Sequence, residues 1–138
     1  MAKQVITAAY LALSGTDYSS YCSKIELSLQ SEEKDSTTFG SSGWKENLLG
    51  LGSGSLAMTF KQDVAASAID SALSALFFAK TAVTFEVRLN SSAVGASNPK
   101  YTGSVTPKEW KPISGAVGDI AEVDISWNVT GAVTRATS

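Results

Sequence analysis

Residues Thr38 to Asp63 read TFGSSGWKENLLGLGSGSLAMTFKQD, a polar, Gly/Ser-rich segment that runs directly into a strand. From Leu56 the apolar side chains fall at every second position, Leu56, Met58 and Phe60, with Ala57, Thr59 and Lys61 between them. Successive side chains of an extended chain point to opposite faces, so this is the pattern of a half-buried antiparallel strand. The segment before it sets Phe39, Trp44, Leu48, Leu49 and Leu51 among glycines and serines. A monomer gains nothing by leaving such groups in water, and residues 31–54 therefore read as a long inter-strand loop with a role. Any one of the five could fold back onto its own domain, but as a set they favour an intersubunit contact.

The same alternation recurs on both sides of this stretch. Ile6 to Ser14 reads as a first strand ending in the turn Ser14-Gly15-Thr16-Asp17, and Tyr18 to Tyr21 as a short connection. Cys22 to Gln30 puts Ile25, Leu27 and Leu29 on one face and Lys24, Glu26, Ser28 and Gln30 on the other. Beyond Asp63, the segment Val64 to Phe77 carries Ile69, Leu73 and Leu76 at helical spacing, with Asp63 as N-cap or Ser67 and Asp70 as a capping box. Val83 to Leu89 alternates again, and a second Gly/Ser-rich loop closes at Pro99. Tyr101 to Val105 reads as an edge or bent strand limited by Pro107. Gly115 to Asp119 reads as a turn. Ile120 to Thr130 is the longest alternation, with Ala121, Val123, Ile125, Trp127 and Val129 opposite Glu122, Asp124, Ser126 and Asn128. The tail, residues 131–138, is either a frayed end or an arm that orders on a partner. The expected fold is mainly β: an antiparallel β-sandwich or barrel over residues 1–138, one domain, with one flanking α-helix and one long loop.

Composition narrows the function. A chain of 138 residues buries roughly two-thirds of its unfolded surface, enough for a core without disulfides. The single Cys22 forms no internal bridge, nothing at the N-terminus reads as a signal peptide, and no stretch is long enough for membrane insertion. The Asn90-Ser-Ser and Asn128-Val-Thr sequons are then chance matches. A formal charge of −2 with singly scattered lysines argues against a nucleic-acid binder. With no histidine and one cysteine, the usual general base and any structural zinc site are missing. Glu32-Glu33, Glu86 and Glu122 with Asp124 sit in polar surroundings that keep carboxylates ordinary. Gly50, Gly52 and Gly54 precede a strand instead of a helix, which disfavours a phosphate cradle. No catalytic, metal or cofactor site is expected. Two readings of other classes are a monomeric carbohydrate-binding β-sandwich module presenting Trp44 or Trp110, and an enzyme built on a carboxylate pair that the sequence does not mark.

Several strings in order, TTFG, WKENLLGL, SLAMTFKQD with its Ala-rich helix, VTFEVR, NPKYTGSV and VTGAVTRAT, resemble the tail tube, or major tail, proteins of long-tailed bacteriophages. The likeness covers nearly the whole chain and is nearest to phages of Gram-positive, particularly actinobacterial, hosts; contractile tails and bacterial secretion tubes use similar subunits. It implies a structural virion protein, made in the host cytoplasm, that assembles into stacked, usually hexameric rings through which the genome is ejected. It also implies tail terminator, tape-measure and tail-tip proteins as partners, and a loop at 31–54 that reaches a neighbouring subunit. Candidate intersubunit contacts are Phe39, Trp44, Leu48, Leu49, Leu51, Trp110 and, on the terminal arm, Val133, whereas Trp127 belongs to the core.

A tube must let duplex DNA pass without specific binding. The duplex carries one charge per about 1.7 Å of axis, and a basic wall would hold it through counterion release. An acidic or neutral wall suits passage better. Glu122 and Asp124, with Glu26 and Glu86 on other strands, are the candidate lumen-facing acids; the alternative is that these faces point outward to solvent.

Overall fold

Leu56, Met58 and Phe60 stand directly across an antiparallel ladder from Trp127, Ile125 and Val123, and all six side chains are at most 1% exposed. Burial of a side chain of this size contributes about 1.5–3 kcal/mol, so this pair of strands is the centre of the core. The computed structural model describes residue 3 and residues 5–138. In chain order its elements are β1 (Tyr10–Leu13), β2 (Thr16–Asp17), a 3-10 turn at Ser19–Tyr21, β3 (Cys22–Asp35), a 3-10 turn at Phe39–Ser41, β4 (Asn47–Lys61), α1 (Ile69–Ala79), β5 (Val83–Arg88), β6 (Lys100–Thr106) and β7 (Glu122–Ala136). The strands form one seven-stranded sheet in the order β2-β1-β5-β6-β7-β4-β3, every pairing antiparallel.

The expected fold class holds: mainly β and antiparallel, with one flanking helix. The sheet does not close, and its two ends are the short β2 and the long β3. One face is apolar throughout: Leu11 and Leu13 of β1, Val83, Phe85 and Val87 of β5, and Val105 of β6 join the six central residues. Ile69 and Leu73 of α1, both fully buried, pack on that face.

The helix starts a turn later than its composition suggests. Asp63 does not cap it; its carboxylate accepts the Ala65 N–H at 3.0 Å in a local turn. Ser67 is left-handed at φ 63, which excludes it from a helix, and the N-cap is Ala68 with no side-chain bond. The sequence-based first strand shortens to Tyr10–Leu13 and the fourth stops at Arg88 instead of Leu89.

Two larger departures concern the loop and the tail. Residues 31–54 are not an irregular loop. β3 and β4 pair continuously from Cys22↔Phe60 out to Asp35↔Asn47, with bulges near Ser23 and Glu32, so the segment is a two-stranded ribbon. Nor is the tail frayed: β7 runs to Ala136 and pairs Ala136 with Lys100 of β6. That places β6 inside the sheet instead of at its edge. Its bend is real, since the β6–β7 register shifts between Thr102 and Ser104.

Candidate assembly surface

β7 accompanies β4 only as far as Ser55↔Asn128, so from Gly54 outward the β3–β4 ribbon stands clear of the sheet. A two-stranded ribbon alone in water is marginal. This one nevertheless carries large apolar groups into solvent: Phe39, Trp44, Leu48, Leu49 and Leu51 are 65–109% exposed. Leu48 and Leu49 are adjacent on one strand and point to opposite faces, so both sides of the ribbon are apolar. At its root, Gly54 lies so close to β3 that an added Cβ would stand 2.8 Å from the Ser28 carbonyl. No larger residue fits there without moving a backbone.

The tip is held by its own polar groups. Ser36 N–H donates to the Glu46 carbonyl at 2.9 Å, and Glu46 N–H donates back to the Thr37 hydroxyl at 2.8 Å. Thr38 and Ser41 form a reciprocal capping box around the 3-10 turn, and Ser41 is buried. Ser42 and Gly43 then reverse the chain with positive φ. The hydroxyl of Thr37, followed by its N–H at 2.9 Å from Oδ1, holds the Asp35 carboxyl below its ordinary value. Polar side chains thus fix the backbone while Phe39 and Trp44 face outward.

The other two candidates for intersubunit contact lie differently. Trp110 is half-buried against the core, 6.0 Å from the Phe77 ring and 5.9 Å from that of Phe78, and its indole N–H is buried without a partner among the described residues. Val133 also packs partly on the core. Conversely, the structure exposes apolar groups that the sequence reading passed over: Val64, Phe78, Ile113, Val117 and Ile120. Phe78 closes an apolar helix, Val64, Ile113 and Val117 lie in irregular segments where no alternation marks a face, and Ile120 precedes the last strand, which starts at Glu122 instead of Ile120.

Glu26, Glu86, Glu122 and Asp124 all lie on the polar face of the sheet, opposite the core. They are not alone. Glu122 pairs with Lys61, Asp124 accepts the Thr59 hydroxyl at 3.2 Å, and Glu86 pairs with Arg88 at 2.9 Å. Lys24 and Lys100 share the face by register. With Asp17 of β2, which the register places there too, five acids face four cations, so the face is polar and close to neutral. Among the described residues no three His, Cys, Asp or Glu side chains gather to hold a metal, and no helix is long and apolar enough to cross a membrane.

The fold is an open antiparallel sheet with a helix on one face and a long ribbon that holds uncovered leucines. The chain belongs to the phage tail tube protein family, whose model matches residues 22–135. No curated protein matches it in sequence. Solved structures that share its fold include two from gene transfer agent particles. A chain from the virion of a native gene transfer agent (GTA) particle is similar with a TM-score of 0.66 at 18% identity, over 83% of this chain and 84% of that one. A chain from the tail of an empty GTA particle with C6 symmetry is similar with a TM-score of 0.68 at 20% identity, over 92% of each.

Proposed function

We propose that the protein is the repeating subunit of a virion tail tube, in which six copies close each ring, rings stack, and the genome leaves through the bore. The observation that carries this reading is the ordered ribbon of a tail tube family member holding five large apolar side chains in water. Such groups are stable in a soluble chain only when a further surface covers them. The unpaired outer edge of β3, fourteen residues without proline, adds a second feature that assembly would shield. Six-fold closure is supported by the C6 symmetry of the GTA tail whose chain shares the fold.

In this reading Phe39, Trp44, Leu48, Leu49 and Leu51 are the intersubunit contacts. The polar sheet face with Glu26, Glu86, Glu122 and Asp124 lines the bore. A nearly neutral wall, with Glu86 and Glu122 already paired with cations, offers the duplex no surplus of positive charge and hence little counterion release. Tail-tip, tape-measure and terminator proteins would start, measure and end the stack, with assembly in the host cytoplasm.

Electron microscopy and light scattering of the purified protein, alone and with a tail-tip nucleus, test the proposal. Rings or tubes of uniform bore are expected. A strictly monomeric species at all concentrations, unmoved by the nucleus, would sink it, and binding of a sugar polymer by that monomer would favour a carbohydrate-binding module.

A further inference from the structure

Between β3 on one side and the Val87 end of β5, Tyr101 of β6 and residues 6–9 on the other lies an open cleft of about 700 Å³. Ile25, Leu27 and Leu29 of β3 line one side, and Val87, Leu89 and Tyr101 the other. Leu29 and Leu89 at its lips are each about half exposed. The chain therefore carries both a protruding apolar ribbon and a concave apolar surface, each uncovered among the described residues. We infer that the cleft of one copy receives the ribbon of a second copy.

Charge distinguishes this occupant from others. The ribbon, residues 31–54, holds four acids (Glu32, Glu33, Asp35, Glu46) against two lysines (Lys34, Lys45), so it carries the whole formal charge of −2 of the chain. Lys24 and Arg88, which the register sets on the polar face, reach the rim of the cleft, and no carboxylate of the described residues lines it. Arg88 is committed, paired with Glu86 and stacked over the Tyr10 ring, whereas Lys24 has no ion-pair partner among the described residues. An acidic apolar ribbon thus meets an apolar cleft whose rim carries the ammonium of Lys24 and no carboxylate of the described residues. Such complementarity fixes register and excludes wrong partners more than it adds affinity.

The ribbon cannot fill its own cleft. It leaves the sheet along β3, and the ladder from Leu29↔Gly54 to Asp35↔Asn47 carries it roughly 20 Å outward at about 3.3 Å per residue. Folding it back would break that ladder. The contact is therefore between different surfaces of two copies, and heterologous contacts propagate into rings or open stacks instead of closing a dimer. This inference rests on the tube reading and names the surface that receives the ribbon.

Cys22, the chain's one cysteine, lines the cleft and reports on it. Burial pushes its thiol up, against smaller opposing contacts from the Lys24 and Thr59 backbone, so an accessible receiving thiol at Ser23→Cys in a Cys22→Ser background complements it. Leu48→Cys, Leu49→Cys and Leu51→Cys are each assembled into tubes and oxidised. A covalent ladder of linked subunits is expected for at least one of the three, with Cys22 or Ser23→Cys as the receiver, and it should vanish when both receivers are absent. Tubes of normal appearance in which none of the three links to either receiver, or in which they link instead to Val117→Cys, would overturn the cleft assignment and leave the tube reading standing. No tubes from any variant or from the wild-type chain would remove the tube reading itself.

Discussion

The indole Nε1–H of Trp127 donates to the backbone carbonyl of Glu109 at 2.8 Å, while Glu109 Oε1 accepts the Ser126 N–H at 3.0 Å. β6 ends at Thr106 because Pro107 has no N–H to continue the ladder. Glu109 takes over, satisfying with its side chain a backbone donor that the ladder abandons and with its carbonyl the one polar atom of the largest buried side chain. The strap after β6 is thereby tied to the core strand.

Trp127→Ala should cost about 3–5 kcal/mol, the usual result of emptying a core site of a large ring. Ser126→Ala, on the opposite face, keeps the backbone donor and should stay within about 0.5 kcal/mol. Urea unfolding of both variants checks this, and similar losses at the two positions would contradict the register of β7.

Excising residues 30–53 and joining Leu29 to Gly54 through an Asn-Gly turn should leave the sheet folded, because those residues pair only with one another. A cut at Ser36 to Gly54, natural if the segment were a loop, would instead strand the outer half of β3. The excised protein should keep its unfolding midpoint and lose assembly in light scattering. A midpoint that collapses would show that the ribbon supports the domain.

At the ribbon root, Gly54→Ala places a methyl group against the Ser28 carbonyl and should cost about 1–3 kcal/mol through overpacking. Gly52→Ala, whose nearest neighbour would be 3.9 Å away, should lie within about 0.5 kcal/mol. The difference between the two unfolding curves is the measurement.

Acid should loosen the tip first. Asp35 has a depressed folded value, so its contribution is present above the unfolded carboxylate value near 3.9 and is lost as pH falls through the lower folded one. Amide exchange at Thr37 should accelerate on acidification before that of the core strands, and Asp35→Asn should remove the pH dependence. A carboxyl titrating at its ordinary value would refute the contact.

The core was legible because burial on one face imposes period two. Leu56 to Phe60 and Val123 to Trp127 satisfy it, and the helix face of Ile69, Leu73 and Leu76 satisfies its own period. The outer ribbon was not legible, since neither face of it is buried: SEEKD and NLLGLGSG show no alternation, and a bulge interrupts the register at Glu32. The end of β7 was hidden for the same reason, its small residues and Gly131 at φ 83 giving no pattern to read. The five ribbon residues were found nonetheless, because large apolar groups among glycines are conspicuous whatever the backbone does. The paired cations of the polar face could not be read, because cross-strand neighbours such as Lys61 and Glu122 are far apart in sequence.

Those pairs decide the last prediction. Glu122→Lys with Asp124→Lys changes the charge by four per subunit and turns a nearly neutral face positive, with one new ammonium set beside Lys61. The lost ion pair is half exposed and costs at most about 1 kcal/mol, so folding and tube formation should survive. If this face lines the bore, the duplex then meets attractive rings along its whole path and ejection should slow. Salt should restore much of the rate, since the Debye length shrinks from about 10 Å at 0.1 M to about 3 Å at 1 M. DNA release from phage carrying the double substitution, followed at low and high salt, measures this. Intact tails that release DNA at the unmodified rate in both salts would place Glu122 and Asp124 away from the bore, and with them the polar face of the sheet.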